Sequence, residues 1–388
     1  MIKTKSQVIL KKMIINEREV IYKFKLCGEA KKYIKKDVMR ISFDFDIANI
    51  PKSILIIPFI SNFLPVCWTF DMLLYVDEID KVFYSSLNYI RNAYRDMIGE
   101  IAFNGDIICN RVILNENDSS NKRLQMFSGG VDSLSTYISH KDEDLDFFYL
   151  WGSDINYSND KAFYKVKEFI DNIATQENKK VYYVKSNFRD IIYYDNINSF
   201  IEPLINDNYW HAIQHGIALL GHASLVAYYI NADIIYIPAT FNIKYKKICA
   251  SSPEIDEQFK YSNKTVIHDG YNFTRLDKVG NIVKHNRKQK NKLKMRVCWQ
   301  SLDGDNCSMC EKCTRTMLEL LSHGENPKDY NFQYDEKVKK NIKEIVMSSN
   351  NGGEFIDFFY IEIAKLFKKN KKNLKDYKYI VEKYKDVI

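Results

Sequence analysis

Hydrophobic residues follow two different rhythms along this chain, and the change comes near residue 120. Before it, Val20, Tyr22, Phe24 and Leu26 alternate with Ile21, Lys23 and Lys25, and Ile41, Phe43 and Phe45 with Ser42, Asp44 and Asp46. Period two predicts antiparallel strands solvated on one face. The apolar run Ile54 to Phe70 is broken by Pro58, Asn62 and Pro65, which predicts strand and turn rather than helix. Ile79, Val82, Phe83, Leu87, Ile90, Tyr94 and Met97 then share one helical face. Residues 1–120 thus read as a strand-rich domain without visible chemistry, either structural or a docking surface for a partner.

From Lys122 the pattern becomes strand then helix, repeated. Leu124 to Phe127, Leu145 to Trp151, Val181 to Lys185, Ile234 to Pro238 and Thr265 to His268 read as strands, and Asp160 to Ile173 as a helix. Alternation of this kind predicts an α/β fold with a parallel sheet covered on both faces. Asn208 to Ala232 holds no Asp, Glu, Lys or Arg and is long enough to span a bilayer, but it carries His211, Gln214, His215 and His222. It is expected to be a buried helix, not a membrane span. The α/β domain is expected over 121–297, a cysteine module over 298–330 and a Lys-rich helical segment over 331–388. In that last segment Phe355, Phe358, Phe359, Ile363 and Leu366 make an apolar face and Lys368 to Lys372 a solvated one.

Composition narrows the class. An apolar fraction of 46% with 14% aromatics in 388 residues fits a folded protein of two or three domains. The net charge of +7 is modest and concentrated in Lys284 to Arg296 and the C-terminal stretch, so it does not call for nucleic acid. Met1 to Val20 has no signal-peptide core, and clustered cysteines suggest a reducing compartment. A cytoplasmic protein is the expectation, with a homo-oligomer left open.

The chemistry is concentrated in Phe127-Ser128-Gly129-Gly130-Val131-Asp132-Ser133. It follows an apolar strand and opens into Leu134 to Ile138, a helical run. Strand, glycine turn and helix N-terminus together capture phosphate: the glycines allow close backbone approach, and free amides at the positive end of the helix face the anion. Ser128 and Ser133 add hydroxyls, and Asp132 is suited to capping the helix or holding magnesium. No Gly-Lys-Ser/Thr follows, so this is not a Walker A loop.

A second constellation is C-x8-C-x2-C-x2-C, formed by Cys298, Cys307, Cys310 and Cys313. Four thiolates in one short segment suit a closed zinc site, with an iron–sulfur cluster as the alternative. His211, His215 and His222 stand at i, i+4 and i+11 on one helical face, fit either for ligand contact or for the core. Ser251, Ser252 and Asp256 offer donors and an acceptor for a purine-like edge, or a capping turn. Cys249 is either a buried thiol or a nucleophile.

Ser-Gly-Gly-x-Asp-Ser resembles the signature of the PP-loop ATP pyrophosphatases. Together with the four-cysteine module, it makes residues 121–323 similar to the 7-cyano-7-deazaguanine synthases. Cys307 to Leu318, Ala250 to Asp256, and His268-Asp269-Gly270 with Thr274-Arg275 are especially like a divergent branch that carries an added N-terminal domain and occurs in anti-phage gene clusters. The resemblance implies an ATP-dependent, adenylating carbon–nitrogen ligase using Mg2+ and a structural Zn2+. Ser128, Gly129, Gly130, Val131, Asp132 and Ser133 would hold the pyrophosphate, with Asp132, Ser128 and Ser133 catalytic. His211 and His215 fall where that family places substrate and phosphate contacts. The implied substrate is a deazapurine acid, 7-carboxy-7-deazaguanine, and the implied amine is ammonia or a group on a partner protein. Asn208-Tyr209-Trp210-His211 and the Ser251-Ser252-Pro253 region replace the housekeeping enzymes' segments, so substrate and acceptor are not carried over. A transfer-RNA thiolation enzyme using Cys249 and the Lys284 to Arg296 run, and a nucleotide-binding docking module without turnover, are the other classes the sequence allows.

Overall fold

A ten-stranded sheet organises the chain, in the order β10-β9-β6-β7-β8-β3-β2-β1-β4-β5. The strands are β1 Gln7–Asn16, β2 Glu19–Cys27, β3 Val38–Phe43, β4 Leu73–Asp80, β5 Asp106–Ile113, β6 Arg123–Met126, β7 Leu145–Trp151, β8 Val181–Ser186, β9 Ile234–Pro238 and β10 Thr265–Asp269. The computed structural model describes residues 5–348, 353–371 and 374–388, with only the backbone described over 353–357. The side chain of Phe355 and residue Lys372 therefore lie outside the described residues.

Pairing is parallel from β10 through β9, β6 and β7 to β8, and again between β1, β4 and β5. It is antiparallel only across β8-β3-β2-β1. The protein is thus α/β with a large, mostly parallel sheet. The runs expected to be antiparallel strands, β2 and β3, do pair that way, while β4 continues in parallel to β5 through the helix Lys81–Met97 (α2) as a crossover unit. One sequence expectation needs correction: Ile54 to Phe70 is not strand and turn, since Ile57–Thr69 is a helix (α1). Pro58 falls in its first turn, where an amide would have no partner. Pro65 costs one internal bond, but this helix is buried along nearly its whole length, so packing outweighs the local penalty. Thr69 Oγ1 donates back to the Pro65 carbonyl at 2.8 Å.

The N-terminal elements extend the same sheet and share the core on one of its faces with the rest. Ile41 and Phe43 of β3 pair with Ser186 and Val184 of β8. On that face α1 packs against the helix His215–Tyr229, so closely that a Cβ on Gly221 would lie 2.6 Å from Ser61. This explains the uncharged run: the helix is enclosed by sheet and α1 and has almost no side open to water. Among the described residues, one stretch, Lys52–Thr69, is long and apolar enough to cross a membrane, and 94% of it is buried in the fold.

The opposite face carries the helices Val131–His140 (α3), Asp160–Gln176 (α4), Arg275–Asn286 and Glu311–Ser322. Every residue of β7, Leu-Asp-Phe-Phe-Tyr-Leu-Trp, is buried, as expected for a central parallel strand covered on both sides. Phe148 and Leu150 join the core with α1, while Phe147, Tyr149 and Trp151 join the core with α3 and α4.

Candidate nucleotide site and cysteine cluster

The loop Ser128–Ser133 leaves the C-terminal end of β6, flanked by β7 on one side and β9 on the other. The chain first winds from β6 to β7 and β8, then returns to place β9 on the far side of β6. The loop therefore stands at the switch in strand order, where open α/β sheets bind ligands. Gly129 has φ +73°, and a Cβ there would meet the Phe169 ring at 2.4 Å, so both conformation and space demand glycine. Gly130 caps α3 without a side-chain bond, leaving first-turn amides for a ligand. Ser133 Oγ donates to the Gly130 carbonyl at 3.1 Å, and Gln125 Nε2 donates to the Ser133 carbonyl at 2.6 Å.

Asp132 is tied to cations that sequence reasoning did not single out as site residues. Its Oδ1 lies 3.2 Å from Lys278 Nζ and its Oδ2 3.7 Å from Arg275 Nη1. Burial works to raise its pKa, but Lys278, Arg275 and Lys312 outweigh it and hold the carboxyl below its ordinary value. A cavity of about 120 Å3 opens against the loop, lined also by Asp154, Arg275, Arg296, Trp299 and Lys312. A second cavity of about 280 Å3 shares Ser128, Asp132, Ser133, Asp154 and Lys312 with it. This second space adds aromatic walls from Phe127, Phe148, Tyr149 and Trp210. The Arg189 guanidinium lies 4.1 Å over the Trp210 ring.

His215 and Ser251 reach this second cavity. Burial, then the neighbouring His211, pushes His215 down to about 4, so it is a neutral imidazole at physiological pH. His211 is held by Asp207, Nδ1 to Oδ2 2.6 Å, and its carbonyl accepts from the Ala250 amide. His222 is buried against Phe188 with its Nδ1 2.7 Å from the Ala218 carbonyl, a core histidine. Asp256 is enclosed: Ser251 Oγ donates to its Oδ2 at 2.6 Å and His268 Nδ1 lies 2.7 Å from the same oxygen. That bonding shapes the loop and leaves Asp256 no exposed edge.

Ser252 and Cys249 face a third and larger space of about 670 Å3, between the 241–258 segment and the Tyr89–Met97 part of α2. Ser251 lines both this space and the 280 Å3 cavity. Burial pushes the Cys249 thiol up to about 12, the opposite of what a thiolate nucleophile needs.

The four sulfurs of Cys298, Cys307, Cys310 and Cys313 lie within 4.8 Å of one another. Cys298–Cys310 and Cys307–Cys313 are each 3.9 Å apart, and four thiolates around a tetrahedral zinc stand about 3.8 Å apart for Zn–S bonds of 2.3 Å. A four-iron cluster would spread them further. The amides of Met309 and Cys310 donate to Cys307 Sγ at 3.5 and 3.3 Å, orienting that thiolate from outside the set. The cluster could hold zinc, and the donor set fits it.

Behind Asp132, Arg275 Nε lies 3.4 Å from Glu319 Oε2, and Arg315 approaches from the same helix as Glu319. Burial pushes the Glu319 carboxyl up to about 7, the two arginines offsetting part of the effect. The folded chain thus holds a proton there that the unfolded chain releases near 4.5. The resulting stability is complete below pH 4.5 and gone above pH 7, about 3 kcal/mol in all. Glu319→Gln is expected to flatten the fall in melting temperature over that window. An unchanged pH slope in the variant would rule out this role.

Compared with known proteins, the chain matches no family model, no curated protein and no solved structure.

Proposed function

We propose that this chain is a PP-loop ATP-dependent ligase, which adenylates a carboxylate and passes the acyl group to an amine. The observation that carries the reading is the Ser128–Ser133 loop, with free helix amides and a cationic surround at the sheet's switch point. A carboxylate cannot expel oxide. Its oxygen attacks the α-phosphorus of ATP, pyrophosphate leaves, and the acyl-adenylate then loses AMP to an amine that gives up a proton. Loop amides with Ser128 and Ser133 hold the departing pyrophosphate. Asp154 and Asp132, which line both loop cavities, would hold Mg2+, which would neutralise developing phosphate charge.

The aromatic-walled cavity with neutral His215 and Ser251 suits a flat heterocyclic acid. By the resemblance, this acid is 7-carboxy-7-deazaguanine. The 670 Å3 space beyond Ser251 is wide enough to admit the amine-bearing arm of a partner protein. The test is acid-dependent exchange of labelled pyrophosphate into ATP, with mass spectrometry of the products. Ser128→Ala is expected to slow exchange roughly 30- to 1,000-fold, the effect of losing about 2–4 kcal/mol of transition-state stabilisation. Undiminished exchange in that variant, or none with any carboxylic acid in the wild type, sinks the reading.

A further inference from the structure

Three cations line the phosphate-loop cavity, Arg275, Arg296 and Lys312, and Lys278 stands behind it on Asp132; all but Lys312 have partners. Lys278 Nζ donates to the Ala239 carbonyl and pairs with Asp132, Arg275 Nη2 donates to Thr316 Oγ1 at 2.9 Å, and Arg296 Nε donates to the Gly304 carbonyl at 2.7 Å. Lys312 differs. Its ammonium makes no hydrogen bond or ion pair among the described residues, yet the side chain lines both the 120 Å3 and the 280 Å3 cavities beside Ser128 and Asp132.

Its position is fixed by the cysteine cluster. Lys312 lies between Cys310 and Cys313 at the start of the helix Glu311–Ser322, which Cys310 caps. A strap braces the same module on the loop: the Arg296 amide donates to the Gly129 carbonyl at 2.8 Å, and the Val297 amide to Asn306 Oδ1 at 2.9 Å, next to Cys307. The cysteines thus hold a half-buried ammonium beside the loop, near Asp132 and Asp154 but in direct ion pair with neither among the described residues. Facing the same two cavities as Ser128 and the loop, it is positioned to donate to an anion with several oxygens.

We infer that the cysteine module forms one wall of the phosphate site and supplies Lys312 as a residue that contacts the pyrophosphate group. The inference rests on the proposed nucleotide reading and assigns to the module a role beyond stapling the chain. Metal occupancy and anion affinity are then coupled through the placement of a single side chain, since a displaced Cys310–Cys313 turn carries the ammonium away with it.

The experiment is calorimetric titration of the full chain with inorganic pyrophosphate, alongside elemental analysis for zinc. Lys312→Met is expected to bind roughly tenfold or more weakly, the loss of one charged hydrogen bond, while keeping its zinc and melting temperature. Lys312→Arg is expected to stay within a few fold of wild type. Wild-type affinity in Lys312→Met overturns the inference. So does loss of zinc from that variant, because Lys312 would then be a prop for the module. If pyrophosphate binding falls as expected but no acid supports exchange, the inference stands and the ligase reading falls.

Discussion

Replacing Cys310 by serine is expected to remove most of the protein from the soluble fraction, and the wild type to carry one equivalent of zinc per chain. Cys310 and Cys313 are buried, and the segment from Met295 to Cys310 contains no helix or strand of its own. Isolated contacts fix that segment, among them the thiolate set, the Asn306 bonds, the Gly129–Arg296 contact and the bond from the Met295 amide to the Tyr330 carbonyl. A structural zinc contributes on the order of 10 kcal/mol to folding in small modules, and a whole domain is stable by only about 5–15 kcal/mol. The loss cannot be absorbed locally either, because Cys298, Cys310 and Cys313 belong to the core that also holds α3 and α4. Iron in the purified protein, or a soluble and metal-free Cys310→Ser variant, would contradict this account.

Deleting residues 1–120 is expected to abolish folding of the remainder, with no smaller enzyme left behind. The deletion removes α1 from the helix His215–Tyr229, where Ile217, Leu220, Leu225 and Val226 are buried and no charged residue is available to face water. It also unpairs β8 from β3 and removes the bond from Tyr94 Oη to the Ile213 carbonyl, 2.6 Å. Each large aliphatic side chain returned to water costs about 1.5–3 kcal/mol, so four of them approach the stability of the whole domain. The check is circular dichroism and hydrogen exchange on the truncated chain. A cooperative, native-like melt of residues 121–388 would refute it. A docking role for the N-terminal part is therefore better probed by substitutions on the exposed face of α2, such as Tyr89→Ala, than by truncation.

How much of this was legible beforehand depends on how local the information is. The loop and the cysteines are contiguous, and their residue types have few other uses at that spacing. The structure places the loop at a strand end and brings the four sulfurs together. The strands from Leu124 to His268 are each a short apolar run, and their alternation with helical stretches located them. Pro58 and Pro65 misled because local propensity argues against helix, while burial between sheet and His215–Tyr229 decides for it. The cations around Asp132 were not assigned to the site because Lys278 and Arg275 lie more than 140 positions downstream. The one visible sign of Lys312 was its place inside Cys-Glu-Lys-Cys. For Asp256 a ligand contact and a capping turn stay open in the sequence for a related reason: a carboxylate that braces a loop and one that reads a substrate look alike until His268, twelve residues on, is seen against it.

The seam between β3 and β8 also sets a timetable for synthesis. Phe43 pairs with Val184, so the hydrogen-bonding edge of β3 waits for about 140 further residues before its partner exists. At roughly 5–20 residues per second, that edge stays open for about 7–30 s on the ribosome. The apolar helix Ile57–Thr69 waits longer still for His215–Tyr229 to cover it. For that interval the nascent chain presents both of the features that drive misassembly, a bare strand edge and an uncovered apolar helix. The joined sheet that binds the two halves of the finished protein thus leaves its first half open to misassembly until the second half arrives.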